Sequence, residues 1–463
     1  MSGARRRAMR VAVLAAAIGL GQGGHATAEP AGAPQAPPAR SGLAHLASEI
    51  AAALGTVSPQ TLVVASPLVS DVSAPKADEL ATRIAAQVAA RLPGARPHTQ
   101  PATLGAARAL SGRAASLVHL QIEISKGQLR VTADLYPVVS NGWERLKNAA
   151  PGPRAHAFVH MALDAEVRSF LTPVLLEQAT LHRAKHQETD VLAVGCGDAD
   201  GDGGMELVLI SRQRVALGRI RGGAFTPSRT SAWSGLASRA PVPMREALGS
   251  AVIAATAHGE GIFAGITDRG GVALDERLVT RGVLSGIPVP GGGGRVCAVP
   301  DPELGVFSGA PVPCTEAPEA KLAPAISAAS PGVQRYDAFA ALELVGKDGG
   351  PSDVVATREP GGKLRIRWSA RGSARTIDAA LEGVGAQIAV ADLDLDGAPE
   401  IVASADGAEE ALTVSSLAAK GNVTTRLRFP SKEAIRAVST CPPEEKGVPA
   451  VVAVVGSEVW LVR

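Results

Sequence analysis

The stretch VLAVGCGDADGDGGMELVLIS, residues 191–211, decides how the second half of the chain folds. Asp198, Asp200 and Asp202 fall on alternate positions, Gly203 follows the third aspartate, and Glu206 comes four residues after Asp202. Residues 387–405, QIAVADLDLDGAPEIVASA, repeat the pattern with Asp392, Asp394, Asp396, Gly397 and Glu400. Carboxylates this close repel one another unless something positive lies among them. Glycine after the third aspartate lets the backbone turn sharply, so that alternate side chains converge on one point. Positions 1, 3, 5 and 9 of each loop then supply side-chain oxygens, and Gly204 or Ala398 at position 7 supplies a backbone carbonyl. With water, this is the shell of a hard cation that takes about six to eight oxygens. Calcium suits it better than magnesium, which demands a stricter octahedron, and soft metals call for Cys or His. Two structural calcium ions are expected.

An EF-hand opens with the same letters but requires a glutamate at position 12 and flanking helices. Position 12 here is Leu209 or Ala403, and the flanks, VLAVGC with ELVLIS and QIAVA with EIVASA, have the composition of strands. The unit is therefore strand–loop–strand. From about residue 189 onward helical periodicity fades, and short apolar runs alternate with Gly, Pro, Asp and Ser. Similar starts recur at Asp190, Ser250, Gly293, Asp337, Gly385 and Glu433, spaced 43 to 60 residues apart. A period of about 45 residues with several strands per unit predicts a β-propeller of about six blades, with five to seven open.

The repeated strand–DxDxDGxxE–strand unit resembles the FG-GAP/VCBS repeats of integrin-α-type β-propellers, over residues 190–463. Two copies match at every acidic position. The resemblance implies one metal loop per blade, but most copies lack the ligands. In the fourth, Lys347 falls at position 3 and only Asp353, at position 9, is acidic. A clear Phe-Gly/Gly-Ala-Pro signature is lacking. An α/β domain ahead of a propeller is also similar in plan to the TolB family.

The first half has a different texture. MSGARRRAMR is a basic stretch, VAVLAAAIGL an apolar stretch too short to span a bilayer, and Ala26–Thr27–Ala28 offers small residues for cleavage. Residues 1–28 are expected to be a signal peptide, followed by a Pro/Ala-rich linker at 29–41 and an α/β domain at 42–188. Within it KADELATRIAAQVAARLPG puts Leu80, Ile84, Val88 and Leu92 on one helical face. LVHLQIEISKGQLRVTADLYP alternates as a hairpin turning at Lys126–Gly127. A helical stretch is expected from Arg154 to Gln187, broken near Pro173. The protein is expected to be mostly β overall, periplasmic or extracellular, with no transmembrane segment in the mature chain.

Four cysteines, Cys196, Cys297, Cys314 and Cys441, permit disulfides in an exported chain, with three connectivities possible. Cys297 and Cys314 bracket what reads as a hairpin. Cys196 and Cys441 fall at nearly the same point of the first and last repeats, which suggests a bond closing the ring. His156/His160 and His182/His186 have the i,i+4 spacing of helical zinc ligands but lack the glutamate of HExxH. The four arginines of SRQRVALGRIRGG, residues 211–223, read as the polar face of a strand pair. A net charge of +2 gives no electrostatic case for nucleic acid. No GxSxG or phosphate loop occurs, and the acidic clusters each belong to one loop, so the expected function is binding or scaffolding of a protein or glycan partner rather than catalysis. The alternative is a hydrolase or lyase with its site in the central channel.

Overall fold

The computed structural model describes residues 42–463, apart from 113, 140–142, 144–150, 237–245, 257–258, 292–293, 302–304, 318–333, 347–349, 372–374 and 444–447. The expected signal peptide and linker, and Lys347, lie outside the described residues.

The α/β domain is a sheet with two helices on one face. Thr61–Ala65, short and apolar, lies inside the sheet, parallel to Arg96–Pro97 on one side and to Ser116–Ser125 on the other. Ser116–Ser125 continues antiparallel into Gln128–Pro137 and then Ala155–Ala162. The hairpin turns at Lys126 and Gly127, whose φ of 52° and 71° are the paired positive values that a two-residue turn needs to match strand twist. Val118, Leu120, Ile122 and Ile124 pack with Leu129, Val131 and Ala133 beneath the helices Gly42–Leu54 and Ala77–Ala89. The second helix buries Leu80, Ile84 and Val88, and Asp78 and Glu79 complement the positive end of its dipole.

The helix expected over 154–187 is not there. Ala155–Ala162 is an edge strand, Ala165–Arg168 a single helical turn, and Leu181–Lys185 another strand. Abundant alanine inflated the helical propensity, while the sheet rewards the alternation of Ala157 and Val159, buried, with His156, Phe158 and His160, exposed. Residues four apart on a strand stand about 13 Å apart, at roughly 3.3 Å per residue. His156 and His160 therefore cannot share one ion. His182 lies on the strand Leu181–Lys185, and His186, just past its end, is buried against the Gly456 carbonyl.

From residue 181 onward the described residues form six blades. Their inner strands are Val191–Gly197, Gly249–Thr256, Ile287–Gly291, Ala338–Val345, Val384–Ala391 and Ile435–Cys441. Each neighbours the next, and the sixth returns to the first, so the ring is closed. One apolar cluster fills each of the six gaps between blades. The chain is a β-propeller, mostly β, preceded by the α/β domain. The third repeat begins one strand before its expected start at Gly293: Gly294–Ala298 is the second strand of its blade, and the inner strand Ile287–Gly291 precedes it. Its prolines and glycines hide the strand from a propensity reading.

Closure uses chain from both ends of the ring. Leu181–Lys185 pairs antiparallel with Glu458–Val462 and becomes the outer strand of the sixth blade, so the propeller starts before residue 189. Thr180 and Arg463 exchange backbone hydrogen bonds of 2.8 and 3.1 Å at its end. On the inner side, the Cys196–Cys441 disulfide joins the first and sixth inner strands. Cys297–Cys314 staples the third blade, whose strands Gly294–Ala298 and Val312–Pro313 pair beside it.

A link between residues 245 apart in sequence removes much unfolded-chain entropy, so Cys196→Ala/Cys441→Ala is expected to cost about 2–5 kcal/mol. Denaturant melts of parent and variant, each with and without reductant, check this. Reductant should bring the parent down toward the variant, and a parent indifferent to both changes would disprove the lock.

Candidate metal centre

Both acidic loops join an inner strand to the second strand of its blade, the first in blade one and the second in blade five. Their backbones follow one plan. Gly203 and Gly397 have φ of 82° and 80°, and Gly201 is matched by Leu395, at 74° and 55°. The N–H of Gly203 donates to Asp198 Oδ2 at 2.8 Å, and that of Gly397 to Asp392 Oδ2 at 3.0 Å. Ala199 and Leu393 donate to Glu206 and Glu400 Oε2 at 2.7 and 2.8 Å. Gly204 and Ala398 donate to Oδ1 of Asp202 and Asp396 at 2.7 and 2.8 Å. Backbone amides thus pin the carboxylates before any ligand is considered.

Oxygens of Asp198, Asp200 and Glu206 lie within 4.8 Å of one another, as do those of Asp392, Asp394 and Glu400. These are positions 1, 3 and 9, strand-flanked as the spacing predicted. Asp202 and Asp396, at position 5, stand outside the converging trios and cap the turn. Glu206 and Glu400 begin the second strands and are buried, 3% and 1% exposed, so water solvates neither carboxylate.

The electrostatics of the two loops differ sharply. In the first, Arg219 on the third strand of the blade reaches into the loop. Its guanidinium donates to Asp202 Oδ1 at 2.7 Å, approaches Asp200 at 3.3 Å, and bonds Glu206. That hydrogen bond holds the Asp202 carboxyl below its usual range. Desolvation pushes Glu206 up, opposed by the Ala199 amide and Arg219. In the second loop, Ser416 faces Glu400 and bonds it at 3.0 Å. Arg426 lies nearby: its guanidinium donates to Glu177, reaches Ser416 Oγ at 3.5 Å, and its charge acts on Asp394 and Glu400. Burial, reinforced by the neighbouring aspartates, pushes Asp392 up to about 7 and Glu400 up to about 8. The donor set is all oxygen, with Glu400 buried and Asp392 and Asp394 half-buried, and no arginine donates to Glu400, so the residues could hold a hard divalent cation. The three carboxylates would hold it, and it would tie the inner and second strands together.

Arg219 was legible only as one of four arginines in 211–223. Strand register carries the signal: Leu207 pairs Gly218, as Ile401 pairs Ser415, so Arg219 occupies the place of Ser416.

At the opposite end of the inner strands, their first residues surround a cavity of about 780 Å³ in the mouth of the central channel. Its lining includes Glu188, Asp190, Arg212, Glu246, Asp337 and Arg436. Glu188 is bound by Arg214 at 2.8 Å, and Asp337 by Arg358, which also donates to the Val384 carbonyl of the next blade at 2.7 Å. These acids tie structure together.

No family model matches the sequence, and no curated relative does. Among solved structures, the chain is similar to TolB from Acinetobacter baumannii, with 13% identity over 82% of this chain and 96% of that one at a TM-score of 0.26. It is similar to the Myceliophteria thermophila Cps50 (Swd1) β-propeller domain, with 10% identity over 73% and 93% at 0.29. A chain of the Mitotic Checkpoint Complex shares 10% over 63% and 93% at 0.31. The closed ring of inner strands, rather than these distant likenesses, defines the fold.

Raised carboxyl groups fix the sign of a pH effect. The folded state holds protons on Asp392 and Glu400 more tightly than the unfolded chain does, so their contribution is full below about pH 4 and is lost as pH rises toward about 8. A cation replaces those protons. The gain in melting temperature from added calcium is therefore expected to grow between about pH 5 and pH 8, as differential scanning fluorimetry reads. A gain that shrinks over that range would contradict the arrangement.

Proposed function

We propose that the protein is an exported calcium-binding β-propeller of the FG-GAP/VCBS type that serves as a binding or scaffold module for a protein or glycan partner in the cell envelope or outside the cell. The observation that carries this reading is the second acidic loop, where amide-pinned carboxylates, the Glu400 carboxylate buried among them, converge within 4.8 Å and no arginine donates to Glu400. Bound calcium would be structural, stiffening the turn and adding its binding energy to the stability of the blade. The repeated acidic loop and its strand context support kinship with FG-GAP/VCBS repeats. The basic, apolar and small-residue run at 1–28 and the presence of two disulfides support export. No helix among the described residues is long and apolar enough to cross a membrane.

We read the protein as non-enzymatic. The acids that converge belong to single loops and face strand edges. In the channel mouth, Glu188 and Asp337 are committed to ion pairs with Arg214 and Arg358. A propeller of six blades leaves loops on two faces free to meet a macromolecule, and the α/β domain adds a further surface.

Asp392→Asn removes one charge at nearly constant shape. In chelator near pH 8 it is expected to raise the melting temperature slightly, by relieving repulsion, and to erase most of the calcium-dependent gain. Parent and variant melting equally in calcium would count against the metal. Affinity capture from an envelope extract, with calcium or with chelator, then tests the scaffold role. The proposal expects a discrete protein or glycan retained by the parent, and turnover of glycosidic or ester substrates by the purified protein would replace it with the enzymatic alternative.

A further inference from the structure

We infer that Arg219 is the built-in cation of the first acidic loop, so that the protein takes up one divalent ion, at Asp392–Asp394–Glu400, although its sequence carries two matching loops. The inference rests on the calcium reading of the second loop and goes beyond it by making the two loops unequal.

The guanidinium meets Asp200, Asp202 and Glu206 together. Two of these belong to the converging trio, and Asp202 follows in the same turn. Arginine suits this seat because its planar fork offers several donors and keeps its charge at any ordinary pH. A divalent ion placed among the same oxygens would face a fixed positive charge and lose ligands already held. Of the aspartates, Asp198 alone is not bonded by Arg219; its Oδ1 is buried without a partner while its Oδ2 accepts from Gly203.

Position 7 gives independent support. A Cβ on Gly204 would come within 3.1 Å of the Arg219 guanidinium carbon and 2.9 Å of Asp202 Oδ1. Glycine leaves that room. The second loop carries Ala398 at the same position, where no guanidinium presses. The residue that accommodates arginine thus occurs in the loop that contains one.

The fourth blade shows the same substitution carried further. Asp353 is the last acid left from its loop pattern, and it pairs across the strands with Glu343. Arg371 bonds both oxygens of Asp353, at 2.8 and 2.6 Å, and Glu343 at 2.8 Å. Here too a guanidinium compensates acids at the end of a blade. Blade five is the one of the three in which no arginine is bonded to the acid on its second strand: Ser416 faces Glu400, and Arg426 bonds Glu177 and reaches Ser416 Oγ at 3.5 Å.

Isothermal titration of the chelator-stripped full chain with calcium chloride reads the number of ions directly. The parent is expected to bind one ion. Arg219→Ser, which gives the first loop the residue of the second, is expected to bind two. Ser416→Arg is expected to bind none, and the double exchange one. If Arg219→Ser does not fold, the loss of the ion in Ser416→Arg still tests whether a guanidinium at this seat displaces it. Two ions in the parent, no gain in folded Arg219→Ser, or retention of the ion in Ser416→Arg would each overturn the assignment of Arg219. No uptake by any of the four proteins would instead remove the calcium reading and the inference with it.

Discussion

A propeller is a ring, and a ring of sheets is stable only if its last blade meets its first. Each blade here buries one face against the next, so an open ring would expose two apolar faces at once. The two meeting faces contain Val194, Leu207 and Leu209 from blade one and Val452, Val454 and Val459 from blade six. Three devices hold them: the strand Leu181–Lys185 completing the sixth sheet, the Thr180–Arg463 backbone pair, and the Cys196–Cys441 bond. The first two act at the outer edge of the blade and the third at its inner strand. Rotation of one blade away from the other therefore has to break covalent or sheet bonding on both sides.

The same ring explains why the acidic loops face strand ends rather than the channel. Each loop joins the inner to the second strand of its own blade, so its side chains can converge only with one another and with the third strand alongside. That third strand decides the chemistry. An arginine there bonds three acids of the first loop, and a serine stands in its place in the second. Burial of Glu206 and Glu400 makes compensation necessary, because a carboxylate removed from water costs several kcal/mol unless it is paired.

Much of the fold is legible in the sequence. Alternating aspartates with a positive-φ glycine specify a converging turn wherever they occur, because the geometry is local. The hairpin at Lys126–Gly127 and the helix through Leu80, Ile84 and Val88 follow from periodicities of two and of about 3.6 residues. The repeat period fixed the propeller and its approximate blade number. Residues 154–187 misled because alanine supports helix locally, while the sheet edge supplied neighbours that no local reading contains. The third blade misled for a related reason: Pro288, Pro290 and their glycines weaken strand propensity, but the strand Ile287–Gly291 is held between blades on both sides.

By itself, then, the sequence determined the local objects: two acidic turns of one design, a repeat of several strands per unit, and cysteines at nearly matching points of the first and last repeats. Only the tertiary structure decided which of those objects meet. It set Arg219 opposite Glu206 and Ser416 opposite Glu400, because pairing with the third strand depends on register as well as on spacing along the chain. It also carried residues 181–185 across the ring to the C-terminal strand, a partner nearly 280 residues away in sequence. Spacing encodes contacts within a turn or two; contacts between strands separated by a whole blade or a whole ring depend on how apolar faces pack, and that is settled only when the ring is closed.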